Sequence, residues 1–224
     1  MRNYELTIEN GEIIGIESWD ADGNMISGNL HIPAEATSFS TDAWVHLLSC
    51  DVRGITVHQD NPVYSAAHNC LLSKDGKRLI RACRTSDASK LTGLTTIGRD
   101  AFQTWSWDLD EFTFRIPDGV EVLDYRAFAV DAKKVEIIVP SSVIYVNLLA
   151  FMIRSKHTHI IFEGDPQLRI GTFGTAAEAE DSGFEVYRRM PSILYPKAEK
   201  IAVTCRPESK VAAYCKEYGI PMGA

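Results

Sequence analysis

Ile116-Pro-Asp-Gly-Val-Glu-Val-Leu-Asp-Tyr-Arg-Ala-Phe128 and Val139-Pro-Ser-Ser-Val-Ile-Tyr-Val-Asn-Leu-Leu-Ala-Phe151 decide how this chain is read. They align without gaps, and in each the aromatic stands eleven positions after the proline. The same spacing joins Ile32-Pro33 to Ala43-Trp44. A fourth copy ends at Ala101-Phe102, with Leu94 and Ile97 in register with Val120 and Leu123, although Leu91 stands where the proline should be. Four copies with one internal spacing mark a repeat, and a repeat governs the whole fold.

Before or between these units lie alternating stretches: Phe112-Thr-Phe-Arg-Ile116, Val135-Glu-Ile-Ile-Val139 and Thr158-His-Ile-Ile-Phe162. Alternation with β-branched and aromatic residues predicts short half-buried strands. A proline ends such a strand because it cannot donate to a sheet ladder. The period from Ala127 to Ala150 is 23 residues, and from Ala101 to Ala127 it is 26. The extra residues fall in the loop holding Trp105-Ser-Trp107. One strand and one compact turn per unit of this length predict a leucine-rich-repeat solenoid, a short horseshoe of α/β or mostly β character with a parallel sheet. One unit cannot bury its own apolar face. Stacked units set Val120, Leu123 and Phe128 beside Val143, Val146 and Phe151, and the alanine before each aromatic lets neighbouring coils approach.

The Ile-Pro-x-x-Val-x-x-(Ile/Leu)-x-x-x-Ala-Phe unit resembles the BspA-like, or treponemal-type, leucine-rich repeats of bacteria. Asp60-Asn-Pro-Val-Tyr64, followed by His68-Asn-Cys-Leu-Leu-Ser-Lys-Asp-Gly-Lys-Arg-Leu-Ile80, resembles the β-hairpin insertion of such arrays, with His68-Asn69 in the place of their usual Asp-Gly. The insertion, at about residues 58–89, accounts for the 58 residues between Ala43 and Ala101. The resemblance implies a non-enzymatic module for adhesion and for recognition of a host or partner protein.

An open solenoid core needs caps. Tyr4-Glu-Leu-Thr-Ile8 and Glu12-Ile-Ile-Gly-Ile16 flank Asn10-Gly11 and predict a front hairpin. At the back, a degenerate unit (Leu168, Ile170, Phe173) leads to a strand at Ile201-Ala-Val203. A helix then follows Pro207, with Val211, Ala212, Tyr214, Cys215 and Tyr218 on one face and Gly219 at its end. Residues 176–185 read as a surface loop or short helix. The expected organisation is one domain over 1–224: a cap at 1–31, repeats at 32–164, and a degenerate repeat with a helical cap at 165–224.

The chain has 224 residues, is 45% hydrophobic and carries a formal charge of -7. That composition fits a folded protein, and the negative charge with scattered lysines and arginines argues against nucleic acid. No apolar run is long enough for a spanning helix, so membrane insertion is not expected. The N-terminus lacks the pattern of an export leader, which predicts a cytoplasmic product; secretion or surface display would need a leader removed beforehand. Cys50, Cys70, Cys83, Cys205 and Cys215 are odd in number and lack zinc-knuckle spacing, so they read as small buried hydrophobes.

Chemistry-bearing motifs are few. His157-Thr-His159 places two imidazoles on one strand face, as a metal site would, but no third ligand follows, and outward polar residues are the ordinary pattern there. Asp108, Asp110 and Glu111 read as a solvated edge rather than a calcium loop. Gly171-Thr-Phe-Gly174 lacks the phosphate-loop lysine and reads as a turn. No nucleophile elbow or active-cysteine signature is present, so no enzyme activity, metal or cofactor is expected.

Two candidate binding surfaces follow. Trp105 and Trp107 sit on an inserted loop, where tryptophans serve interfaces and sugar stacking. The second is the strand face: with Phe112, Phe114, Ile137, Ile160 and Phe162 inward, Thr113, Arg115, Glu136, Ile138, His159 and Ile161 point outward. The expected function is binding of a protein partner through this face or loop. The alternative is a carbohydrate-binding or adhesive surface domain that takes a host or surface glycan.

Overall fold

The computed structural model describes residues 3–19, 22–23, 26–104, 108–175, 177–178 and 201–223. Its front is a hairpin of β1 (Glu5–Glu9) and β2 (Glu12–Glu17), turned at Asn10 and Gly11, both at positive φ as a type I′ turn requires. β3 (Gly28–Ile32) follows, then β4 (Ser38–Phe39), which adds to β2.

The first repeat departs from the expected coil. Ala43 and Trp44 lie in helix α1 (Thr41–Ser49), not in a ladder of stacked rings. Ser40 caps the helix by accepting from the Ala43 N–H at 3.1 Å, a bond that satisfies one of the donors a helix start leaves open. Ala43 and Leu47, four positions apart, bury one helical face, and Trp44 packs edge-on against Phe39 at 5.5 Å. β5 (Val52–Val57) then pairs in parallel with β3.

The insertion is a three-stranded meander: β6 (Tyr64–Ala67), β7 (Cys70–Ser73) and β8 (Arg78–Ala82). His68 and Asn69 both have positive φ and form the turn between β6 and β7 themselves. Asn61 ties the meander down. Its amide donates to the carbonyls of Pro33 and Ala36, both at 2.7 Å, and its oxygen accepts from the N–H groups of Val63 and Tyr64. Every hydrogen-bonding position of this fully buried amide is filled.

Behind the meander the coils stack in two parallel ladders. β9 (Thr96–Ile97), β11 (Val122–Leu123), β13 (Tyr145–Val146) and β15 (Gln167–Leu168) extend the meander's sheet at β8. A four-stranded sheet runs β10 (Leu109–Arg115), β12 (Ala132–Val139), β14 (His157–Phe162) and β16 (Ile201–Thr204). Between the ladders stand Phe102, Phe128, Phe151 and Phe173, with ring centroids 5.1, 5.8 and 5.7 Å apart and planes within 18° of parallel. Ala101, Ala127 and Ala150 beside them are fully buried. Burial of this apolar spine drives stacking that no single coil could achieve.

The back is closed by α2 (Lys210–Glu217), N-capped by Ser209, with Val211, Ala212 and Cys215 buried and Gly219 at φ +64 ending it. Tyr214 and the buried Glu178 hydrogen-bond at the same cap. Residues 221–223 then pair along the outer edge of β16: Val203 N–H donates to Pro221 O at 2.9 Å, and Gly223 N–H to Val203 O at 3.0 Å. Four of the five cysteines are buried and all five are free thiols.

Candidate functional site

The strands of the four-stranded sheet are in straight register, so outward side chains form rows across it. One row is Thr113, Glu136, His159 and Ala202; the next is Arg115, Ile138, Ile161 and Thr204. Thr113 and Arg115 are exposed, while Glu136, Ile138, His159 and Ile161 are half-buried. Their inward neighbours Val135, Ile137 and Ile160 are at most 1% exposed. The strand period of two thus sorts the face in the way the alternation predicts.

Charge pairs lace this face together. Arg115 on β10 reaches over β12 and grips Glu163, just past β14, with bonds of 2.6 and 2.8 Å from its two terminal nitrogens. The fork crosses the row that holds Ile138 and Ile161. His159 Nε2 lies 2.9 Å from Thr204 Oγ1, and its Nδ1 lies 3.5 Å from Glu136. At the lower end Lys133 meets Asp110 at 2.5 Å and Lys134 meets Glu111 at 2.8 Å. Those hydrogen bonds hold both carboxyls below the usual range. The acidic residues Asp110 and Glu111 are therefore neutralised across strands.

His157 and His159 sit on β14, with His157 exposed opposite Lys134. Among the described residues no cluster of three or more metal-ligating side chains occurs. Trp105 and Trp107 lie outside the described residues, as does most of the stretch 176–185. A serine–histidine contact that the sequence did not reveal joins Ser18 Oγ to His46 Nε2 at 2.8 Å. Ser18 is 0% exposed, which leaves a substrate no access to the hydroxyl. The contact ties the front hairpin to α1.

A cleft of about 320 Å³ opens where β10 faces residues 83–89. Leu109, Phe112, Phe114 and Phe102 line it on one side, and Cys83, Arg84, Ser86, Asp87, Ala88 and Ser89 on the other. It exists because the coil before β10 contributes no strand to the four-stranded sheet; a single 3-10 turn at Ala88–Lys90 stands there. Next to the cleft, Arg81 is fully buried, donating to the carbonyls of Gln103 at 2.9 Å and Asp100 at 3.4 Å. Burial lowers its pKa to about 10, with Asp100 opposing the fall.

The architecture is that of a mostly-β solenoid with parallel sheets, a meander insertion and a helical end cap. No family model and no curated protein matches the sequence. Solved structures resemble its fold distantly. The pneumococcal vaccine antigen PcpA aligns over 88% of this chain and 56% of its own, at 14% identity and a TM-score of 0.42. A leucine-rich repeat protein from Eubacterium ventriosum aligns over 65% of this chain and 38% of its own, at 15% identity and a TM-score of 0.36. Both likenesses are distant, and the chain spans about half of PcpA's length. No described helix is long and apolar enough to cross a membrane.

Proposed function

We propose that this chain is a non-enzymatic interaction module of the bacterial leucine-rich-repeat type, which binds a protein partner through the outward face of the β10–β12–β14–β16 sheet. The observation that carries this reading is the row of Ile138 and Ile161, two half-buried aliphatics crossed by the Arg115–Glu163 fork and flanked by Glu136 and His159. An apolar strip with a charged rim is the anatomy of a protein interface rather than of a reaction centre. The Ile-Pro…Ala-Phe unit supports placing the array with the BspA-like repeats, and adhesion as its role.

The test is affinity capture on immobilised protein, comparing the native face with Ile138→Glu and Ile161→Glu variants that retain the native circular dichroism. A partner held by the native face and released by both variants is the expected result. Equal capture by all three removes the sheet face from the proposal. Sugar recognition by a surface-displayed form rests on Trp105 and Trp107, outside the described residues. A glycan array with both tryptophans replaced by alanine separates it from protein binding.

A further inference from the structure

We infer that the cleft at β10 is a strand-addition site, which accepts one extended peptide segment of a partner protein with apolar side chains at alternate positions and a carboxylate placed for Arg84. The inference is separate from the sheet-face reading, since it uses the edge of the sheet and not its outward surface.

Ile116 N–H donates to Ile138 O at 3.0 Å. In a parallel ladder that bond directs the N–H and C=O groups of Phe112 and Phe114 toward β12 as well. The groups of Glu111, Thr113 and Arg115 then point the other way, into the cleft. None of them has a backbone partner among the described residues. Open edges are normally covered. This chain covers the opposite edge of the same sheet with residues 221–223, laid against β16 as a short strand. Among the described residues, one edge is closed by strand-like pairing and the other is left able to receive it.

Side-chain burial points the same way. Phe112 and Phe114 are paired in register with Val135 and Ile137 and face the same way. Val135 and Ile137 are buried to 1% and 0%, whereas the two phenylalanines are only half-buried. Ladder neighbours flank Val135 and Ile137 on both sides; Phe112 and Phe114 have one on a single side. An added strand would supply the missing one, and its inward side chains would land on these rings. The specificity therefore calls for apolar residues at alternate positions.

The wall at residues 83–89 selects the occupant. It stands across the cleft from the β10 edge, which favours a lone extended segment over a strand already carried in another sheet. On that wall Arg84 is exposed and has no ion-pair partner among the described residues, whereas Asp87 is engaged by Lys90 at 2.8 Å and Glu111 by Lys134. This cation, unpaired among the described residues, calls for a carboxylate on the peptide.

A phage-displayed library of random heptapeptides, panned on the intact protein, tests this. Thr113→Pro removes one cleft-facing N–H and leaves the β12 ladder untouched, because proline is tolerated on the open side of an edge strand. Selected peptides should alternate apolar residues, carry an acidic residue, and lose about tenfold or more in affinity for the Thr113→Pro variant. A synthetic copy with N-methyl groups on alternate amides should lose as much in one phase and nothing in the other. Amide exchange at Thr113 and Arg115 should slow on binding, and Arg84→Ala should weaken it. A library yielding no binder sensitive to Thr113→Pro overturns the inference, as does equal binding of both N-methylated phases. The Ile138→Glu and Ile161→Glu variants should bind these peptides normally, so failure here and failure of the sheet-face reading are told apart.

Discussion

Arg115 and Glu163 are 48 residues apart in sequence and meet through two parallel hydrogen bonds above the strand that separates them. Both side chains are more than 40% exposed, so solvent screens the pair strongly. Arg115→Ala is expected to change stability by no more than about 0.5 kcal/mol. Its effect should fall on recognition, since losing the fork uncovers Ile138 and Ile161. Chemical denaturation beside partner capture checks this, and a large stability loss with unaltered capture would contradict the proposed role of the face.

The phenylalanine spine should respond very differently. Phe128 is fully buried between Phe102 and Phe151 and also packs near Phe114. Phe128→Ala should cost about 3–5 kcal/mol in urea denaturation, because the stacked coils on both sides prevent collapse into the void. Phe112→Ala, on a half-buried ring at the cleft, should cost clearly less.

Gly98 marks the hand-over from meander to stacked coils. Its N–H donates to Leu79 O at 2.8 Å, and a Cβ at this position would collide with that same carbonyl oxygen. Gly98→Ala is expected to destabilise by about 1–3 kcal/mol. Gly76→Ala, at a turn open to solvent but with φ +73, tests backbone strain without any collision. Thermal melts of the two variants separate the contributions.

Burial raises the Cys70 thiol from 9.0 to about 11 and the Cys215 thiol to about 12. The folded chain therefore keeps protons that the unfolded chain releases from about pH 9 upward. Stability is fully present below pH 9 and should decline above it, by about 1.4 kcal/mol per pH unit for each such thiol. Tyr4, raised from 10.0 to about 12 by burial, adds to the loss only above pH 10. Denaturation midpoints between pH 8 and 10 should show the decline, and Cys70→Ala with Cys215→Ala should reduce it, leaving the part that the buried Cys50 thiol contributes.

The coils were legible because their cause is periodic. Ala-Phe spacing and period-two alternation report directly on burial, and they located β10, β12, β14 and the rings of Phe102, Phe128 and Phe151. The first copy misled for a physical reason. Ala43-Trp44 matches the spacing, but Ser40 supplies a helix cap and Leu47 stands four residues after Ala43, so the same letters satisfy a helical face. A further feature of each coil was hidden altogether. Asp100, Arg126 and Leu149, each just before the buried alanine, have φ between 53° and 55°. Sequence reading looks for glycine at such positions, and none of these three is glycine.

The outward face was readable to the residue, since alternation fixes it. The cleft was not, because it arises from a strand that is missing between 83 and 90, and absence of alternation there resembles any loop. Arg81 carried no signal either: a lone arginine inside Leu79-Ile-Arg-Ala82 reads as an exposed charge on a strand.

That arginine bears on how the molecule comes apart. The apolar residues form a front cluster around Ile13, Leu30 and Leu47 and a rear one along the phenylalanines, and β8 contributes Leu79 and Ala82 to the rear while Ile80 packs on the front. Arg81 lies in that same strand with its guanidinium held by the carbonyls of Gln103 and Asp100 in the rear coils. Peeling the rear coils away would break both of the hydrogen bonds described for that guanidinium. Front and rear should therefore melt in one cooperative step, and a fragment cut near residue 90 should fail to fold on either side of the cut.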